Sequence, residues 1–256
     1  MRFAYVAALF LIATGTGVFL ACSSSDDTTN NASSSGGSSS GKSSSGSSGA
    51  SSGNNVADSG GFYYSPDGCV IHCTAHKEAG KAASSARSDK PGAVAWASPD
   101  QAIKADTTGI TDNAHMASVT LNEGEESEYL EVSNFDFSEV TNDKETWGIS
   151  VELTRHSIDA GVADSTIEVT FTGGLVDGGV PNSKVLDGVW PREIVGVHHY
   201  GQAIDTWGVW LDPIDVRPTA FGARVAAKRI DGVTGPVTAQ IDALKVAVCY
   251  CNADKK

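Results

Sequence analysis

The residues of this 256-residue chain with the most definite chemistry are its five cysteines, which fall in three places: Cys22, Cys69 with Cys73, and Cys249 with Cys251. Cys22 ends a segment that opens with Arg2 and runs uncharged from Phe3 to Ala21. A positive start, an apolar middle and a small residue before the cut describe a secretory signal. The remaining four cysteines are even in number, and in an exported chain that reads as two disulfides. On a strand, Cys249 and Cys251 project from the same face. A bridge between such near neighbours would close a strained small ring, so each is expected to cross to Cys69 or Cys73. The first crossing would close a loop of about 180 residues, worth about 5 kcal/mol in the chain-entropy model. Zinc is the competing chemistry, because His72 and His76 stand beside Cys69 and Cys73. The spacing of those two cysteines suits a structural zinc site, but Cys249 and Cys251 are one residue too close.

Other polar groups carry weaker signals. In His198-His199-Tyr200, adjacent residues of a strand point to opposite faces, so the two imidazoles do not readily share one metal and read as a structural or surface pair. Glu123, Glu125, Glu126 and Glu128 surround Gly124. Glycosidase carboxylates must face each other across a sugar at about 5–9.5 Å, whereas acids of one hairpin tip form a solvated loop. No cofactor is expected; besides zinc, calcium is weighed at Asp106, Asp112 and Asn113 or at Asp159 with Asp164, although neither set follows the EF-hand order of ligands. From Gly61 onward, beyond the Ser/Gly-rich tract whose composition alone produces such matches, the chain contains no Gly-x-Ser-x-Gly elbow, P-loop, His-Glu-x-x-His sequence or dinucleotide fingerprint, so no catalytic residue is assigned. Of Trp96, Trp190, Trp207 and Trp210, the last two have opposite parity on one short stretch. With Trp207 in the core, Trp210 would be exposed and able to stack on a sugar; core packing of both, with Trp210 under a loop, is the commoner outcome.

The elements that position these residues are mostly strands. Thr146–Arg155 alternates, with Trp147, Ile149, Val151 and Leu153 on one face and Ser150, Glu152 and Thr154 on the other, as a half-buried strand does. Similar runs are Met116–Leu121, Ser165–Phe171, Phe221–Ala227 and Leu244–Tyr250, with shorter candidates at Tyr129–Phe135, Val195–Tyr200 and Thr206–Leu211. Turn residues separate them, notably Asn122-Glu123-Gly124, Gly173-Gly174, Asp177-Gly178-Gly179 and Asp231-Gly232. Thr74–Ser85 alone reads as helix, interrupted by Gly80. Eight or more short strands with almost no helix predict an all-β fold, an antiparallel β-sandwich of jelly-roll kind.

Before the strands lies a different composition. Ser23 to Gly61 holds 17 Ser and 8 Gly, with Val56 its sole sizeable apolar side chain. Such a stretch buries too little surface to offset its ordering entropy, and as a disordered coil it spans about 35 Å. The chain carries a formal net charge of −13, with 18 Lys plus Arg against 31 Asp plus Glu. That balance excludes a phosphate-reading surface for nucleic acid and an electrostatic grip on anionic lipid.

Two resemblances add to this reading. Phe19-Leu20-Ala21-Cys22 resembles the lipobox of bacterial lipoproteins, which implies acylation of Cys22 after removal of residues 1–21, and Ser23 resembles the outer-membrane sorting pattern. The Phe departs from the commoner Leu three residues before the Cys, and an uncleaved anchor helix is the alternative. Second, Trp96-Ala97-Ser98-Pro99-Asp100-Gln101-Ala102, Ala117–Leu121, Glu128-Tyr129-Leu130, Asn134–Ser138, Gly148–Leu153, Asp205-Thr206-Trp207-Gly208 and Ile241–Val248 together look like a β-sandwich domain that recurs in bacterial surface and phage structural proteins. That resemblance covers roughly 94–250 and implies the fold without implying catalysis.

The expected organisation is a signal over 1–21, lipidated Cys22 with a tether to 61, a cysteine-bearing lead-in over 62–92, the sandwich over 93–252, and a polar tail over 253–256. The expected function is non-enzymatic: a binding, adhesion or envelope-structural module, held at a bacterial outer membrane by its lipid, with a glycan or surface protein as partner. The alternative is a carbohydrate-active enzyme or carbohydrate-binding module on the same scaffold.

Overall fold

The computed structural model describes residues 63–105, 115–171, 183–186, 188–192 and 195–252. The chain divides into two units, 1–48 and 49–256, and every described residue belongs to the second. The signal, Cys22, the tether, the Asp106, Asp112 and Asn113 set, the Gly173-Gly174 and Asp177-Gly178-Gly179 turns and the polar tail lie outside the described residues.

Two antiparallel sheets make up the fold. The strands are β1 (Tyr63–Tyr64), β2 (Val70–Cys73), β3 (Lys81–Ser85), β4 (Ala117–Leu121), β5 (Tyr129–Ser133), β6 (Lys144–Ser157), β7 (Val162–Thr170), β8 (Gly196–Gly201), β9 (Gly222–Arg229) and β10 (Val237–Asn252). One sheet runs β1-β2-β10-β6-β8, with β4 also paired to β10, and the other runs β3-β5-β9-β7. The helical elements named among the described residues are a 3-10 turn at Pro99–Ala102 and one α turn, α1 (Pro213–Val216). The segment before Ala93 therefore contributes β1 and β2 to the first sheet and β3 to the second.

The core lies between the sheets. From the first come Val119, Leu121, Ile149, Val151, Leu153, Tyr200, Ile241, Leu244, Val246 and Val248; from the second come Ala82, Leu130, Val132, Ile167, Val169, Ala223 and Val225. These positions alternate along each strand, the pattern that a sheet with one covered face imposes. The long central strand β10 pairs with β6 over nearly its whole length, and on its other edge it receives β4, then Lys77, then β2.

Three bulges shift the alternation. Gly148 pairs with Cys249 and Thr146 with Tyr250, so Trp147 is the extra residue of a β6 bulge. A bulge turns the following side chain to the other face, and Trp147 accordingly leaves the face of Ile149 and packs with Ile71, Ala203 and Cys249. Asp242 is likewise the extra residue between the Ile241 and Ala243 pairings on β10. On β7, Ser165 stands unpaired between Asp164 and Thr166. It lets Asp164 and Ile167 both face inward, although they are three residues apart.

Two sequence expectations are corrected. Thr74–Ser85 is not a helix: Lys81–Ser85 pairs with β5, and Lys77 bridges to Val246. Its alanines and small polar residues have weak local preference, and the open strand edges of both sheets outweigh it. Thr206–Leu211 is not a strand, because Trp207 adopts a left-handed φ of 57° that ends any extended run.

Candidate functional site

The four cysteines pair across the first sheet. Cys69 pairs with Cys251 at a Cα separation of 6.0 Å and Cys73 with Cys249 at 3.9 Å. Cys73 and Cys249 are also direct ladder partners, so the β2–β10 register sets their meeting. Zinc ligation by Cys69 and Cys73 has no place in this arrangement. His72 is exposed on β2, and His76 turns to different neighbours.

Those neighbours lie on the outer face of the first sheet. Glu152 of β6 is the ladder partner of His199 on β8 and of Lys245 on β10, and Ser150 is the partner of Ala247. Lys77 bridges to Val246, which sets His76 beside the small Ala247 and lets its ring reach over β10 to β6. His76 Nε2 lies 3.1 Å from Ser150 Oγ, and His76 Nδ1 lies 3.7 Å from Glu152 Oε2. The His76 and His199 ring centroids are 5.3 Å apart, and Lys245 Nζ lies 3.4 Å from Glu152 Oε1. All three members, His76, Glu152 and His199, are half-buried. Burial pushes the His76 imidazole below its ordinary value, against the raising effect of Glu152, with His199 and Lys245 adding to the lowering.

His198 and His199 are divided as the strand geometry requires. His198 is influenced by the core guanidinium of Arg155, and burial pushes it down to about 4. His199 faces Glu152, and its Nδ1 is buried with no hydrogen-bond partner.

Further along the same face is an aromatic patch. Trp210 is 65% exposed, and its ring stands edge-on to Trp147 with centroids 5.9 Å apart. The loop that carries it is pinned at Trp207, which is fully buried and donates its indole N–H to the Ile149 carbonyl at 2.8 Å. Val209 and Leu211 are buried on either side of Trp210. Core packing of both tryptophans is thereby corrected: the αL turn at Trp207 seats that ring and sends Trp210 outward. Ile204 and Ile214, 50% and 64% exposed, are further apolar side chains near it in sequence.

Gly148 allows the loop to approach. A Cβ there would lie 2.5 Å from the backbone of Ala203. Gly148→Ala is expected to lower the unfolding free energy by about 1–3 kcal/mol, as overpacking against an unyielding backbone does. Urea denaturation beside the parent chain checks this.

Several of the remaining sequence candidates have structural partners, while Glu123 and Asp159 are exposed. Glu126 binds Arg87 at 2.9 Å, Lys90 at 2.8 Å and the Ser165 hydroxyl; Glu128 accepts from Ser84 at 2.6 Å; Glu125 accepts from the Asn122 backbone at 2.7 Å. None of these carboxylates faces another across a cleft. Asp164, considered for calcium, is buried in the core. It is paired with Arg155, accepts from Trp190 Nε1 at 2.9 Å, Tyr200 Oη at 2.8 Å and the Leu186 N–H at 3.1 Å, and so has no room for calcium. Burial pushes the Arg155 guanidinium down to about 10 and raises the Tyr200 phenol. Trp96 is a core residue whose indole donates to the Glu128 carbonyl at 2.9 Å.

Fold and surface together define a two-sheet antiparallel β protein, cross-linked between its second and last strands, with an aromatic patch and a histidine–carboxylate cluster on one outer face. Comparison with known proteins finds no family model, curated protein or solved structure that this chain matches.

Proposed function

We propose that this chain is an exported lipoprotein, held at a bacterial outer membrane through acylated Cys22, that displays a jelly-roll-like domain as a non-enzymatic glycan-binding module. The observation that carries the binding role is the Trp210 indole, 65% exposed and braced edge-on by Trp147. A large flat apolar surface left in water is costly unless something covers it, and a pyranose ring offers the matching C–H face. Its loop is held from below by Trp207, so little ordering is required when a ligand lands. Two cysteine pairs at disulfide distance support an oxidising compartment, in keeping with the signal-like run that ends at Cys22. The acidic balance of the chain favours neutral or cationic sugars over sulfated or phosphorylated ones.

The test is a panel of cell-surface polysaccharides offered to the purified full chain, with titration of whichever is retained. Trp210→Ala is expected to cost about 2 kcal/mol, or roughly thirtyfold in affinity, the effect of losing a central aromatic anchor. Retention of no glycan, or a titration that Trp210→Ala leaves unmoved, would remove the basis for this role. Cleavage of a bound polysaccharide would favour the enzymatic alternative.

A further inference from the structure

We infer that His76, Glu152 and His199 form a binding site for a zinc-class divalent transition metal on the outer face of the first sheet. One ring nitrogen from each histidine and one carboxylate oxygen all lie within 4.8 Å of one another. The key spacing is the 3.7 Å between His76 Nδ1 and Glu152 Oε2. That is too long for a hydrogen bond. Two ligands held tetrahedrally at about 2.0–2.1 Å from one zinc ion stand about 3.3–3.5 Å apart, so closing the gap takes only a few tenths of an ångström.

The surrounding groups present the ligand atoms in usable form. His76 Nε2 is 3.1 Å from Ser150 Oγ. With the proton on Nε2 donated to that hydroxyl, the Nδ1 lone pair faces the carboxylate, an arrangement that repels unless a cation lies between them. A hydrogen bond on the far nitrogen is also the usual way a metal-bound imidazole is oriented. Lys245 sits on the other oxygen, Oε1, and leaves Oε2 for the metal. His199 supplies the third ligand as the ladder partner of Glu152, and its unpartnered Nδ1 marks a nitrogen for which the protein provides no acceptor or donor.

The donor set selects the ion. Two imidazoles and a single carboxylate suit zinc and its neighbours, whereas calcium and magnesium require mostly oxygen. Three protein ligands on a half-buried sheet face leave a coordination position for water or an external ligand. The site is independent of the glycan-binding proposal, since Trp147 and Trp210 contribute no ligand.

The experiment uses the full chain with its disulfides formed and Cys22 blocked by alkylation. After stripping with a chelator, it is titrated with Co²⁺, followed by the visible d–d absorption, and then with Zn²⁺ in competition. One equivalent of Co²⁺, displaced by Zn²⁺, is expected. Glu152→Gln and His199→Ala should each weaken binding about tenfold or more, while His72→Ala leaves it unchanged. Glu152→Gln keeps the side-chain shape and is the deciding variant if His199→Ala does not fold, as judged by circular dichroism. Absence of a one-equivalent transition, or binding that Glu152→Gln leaves intact, would overturn the site. Equal loss in His72→Ala would do so as well.

Discussion

Asp164→Ala is expected to lower the unfolding free energy by about 3–5 kcal/mol at neutral pH, the cost of leaving a buried cation without its partner. Arg155 and Asp164 have side chains 3% and 0% exposed, and they join opposite sheets, since Arg155 lies on β6 and Asp164 on β7. The carboxylate also accepts from Trp190, Tyr200 and the Leu186 backbone. The guanidinium stacks 5.0 Å from the Trp190 ring centroid and 5.7 Å from that of Tyr200. Removing Asp164 leaves all of these donors facing an apolar core. Arg155→Ala should cost a comparable amount, because the carboxylate is then stranded. The double variant Arg155→Met with Asp164→Leu should recover much of the loss, as replacing a whole buried ion pair by apolar side chains often does. Urea unfolding of the four chains checks this; a loss under about 1 kcal/mol for Asp164→Ala would mean that water reaches the pair.

The second large effect is expected from the cysteines, and it should be strongly non-additive. The bridges span 182 and 176 residues of sequence and lie side by side. Either one closes the long loop, so replacing Cys73 and Cys249 together by serine opens only a short ring within it and should cost roughly 2 kcal/mol in the chain-entropy model. Replacing all four removes the long closure as well and should cost at least about 5 kcal/mol, more than the two single-bridge losses combined. Denaturation of these two variants, and of a third with Cys69 and Cys251 replaced by serine, under oxidising conditions measures this. Equal and additive losses would show that each bridge acts through local packing instead.

Much of the sandwich was legible because a covered sheet face forces a two-residue period. Ile149, Val151 and Leu153 on β6 and Leu244, Val246 and Val248 on β10 could be placed on their faces from sequence, and they are core residues. Bulges were not legible. Trp147 was expected beside Ile149 and lies on the opposite face, because one extra residue inverts parity and leaves no mark in composition. Thr74–Ser85 resembled a helix because alanine and lysine favour one locally, whereas the pairing that makes Lys81–Ser85 a strand comes from β5, far along the chain. The stretch around Trp207 was misread in the same way: its alternation suggested a strand with both tryptophans packed, whereas the left-handed turn at Trp207 buries that ring and leaves Trp210 exposed.

The histidine cluster was the least visible feature. His76 could be considered only with its sequence neighbours Cys69, Cys73 and His72, and His199 only with His198. What joins His76 to His199 is a chain of ladder registers through β10 and β6, and no local pattern encodes it. The signal that could have been weighed was Glu152, an acid in the middle of an otherwise neutral outer face of a strand. Asp164 misled in the opposite direction, because an acid next to a turn suggests solvent, while the bulge at Ser165 carries it inward.

The paired cysteines also determine how the domain would carry a mechanical load. A pull on the chain from its N-terminal side passes through β1 and reaches Cys69 and Cys73, which are joined to Cys251 and Cys249 on β10. Without those bonds β2 would peel from the sheet edge one hydrogen bond at a time. With them, tension bypasses β2 and enters the central strand of the larger sheet, which is gripped along its length by β6. Tension past that point acts on many ladder bonds at once, so a tethered domain of this design would resist shear at a surface until its disulfides were reduced.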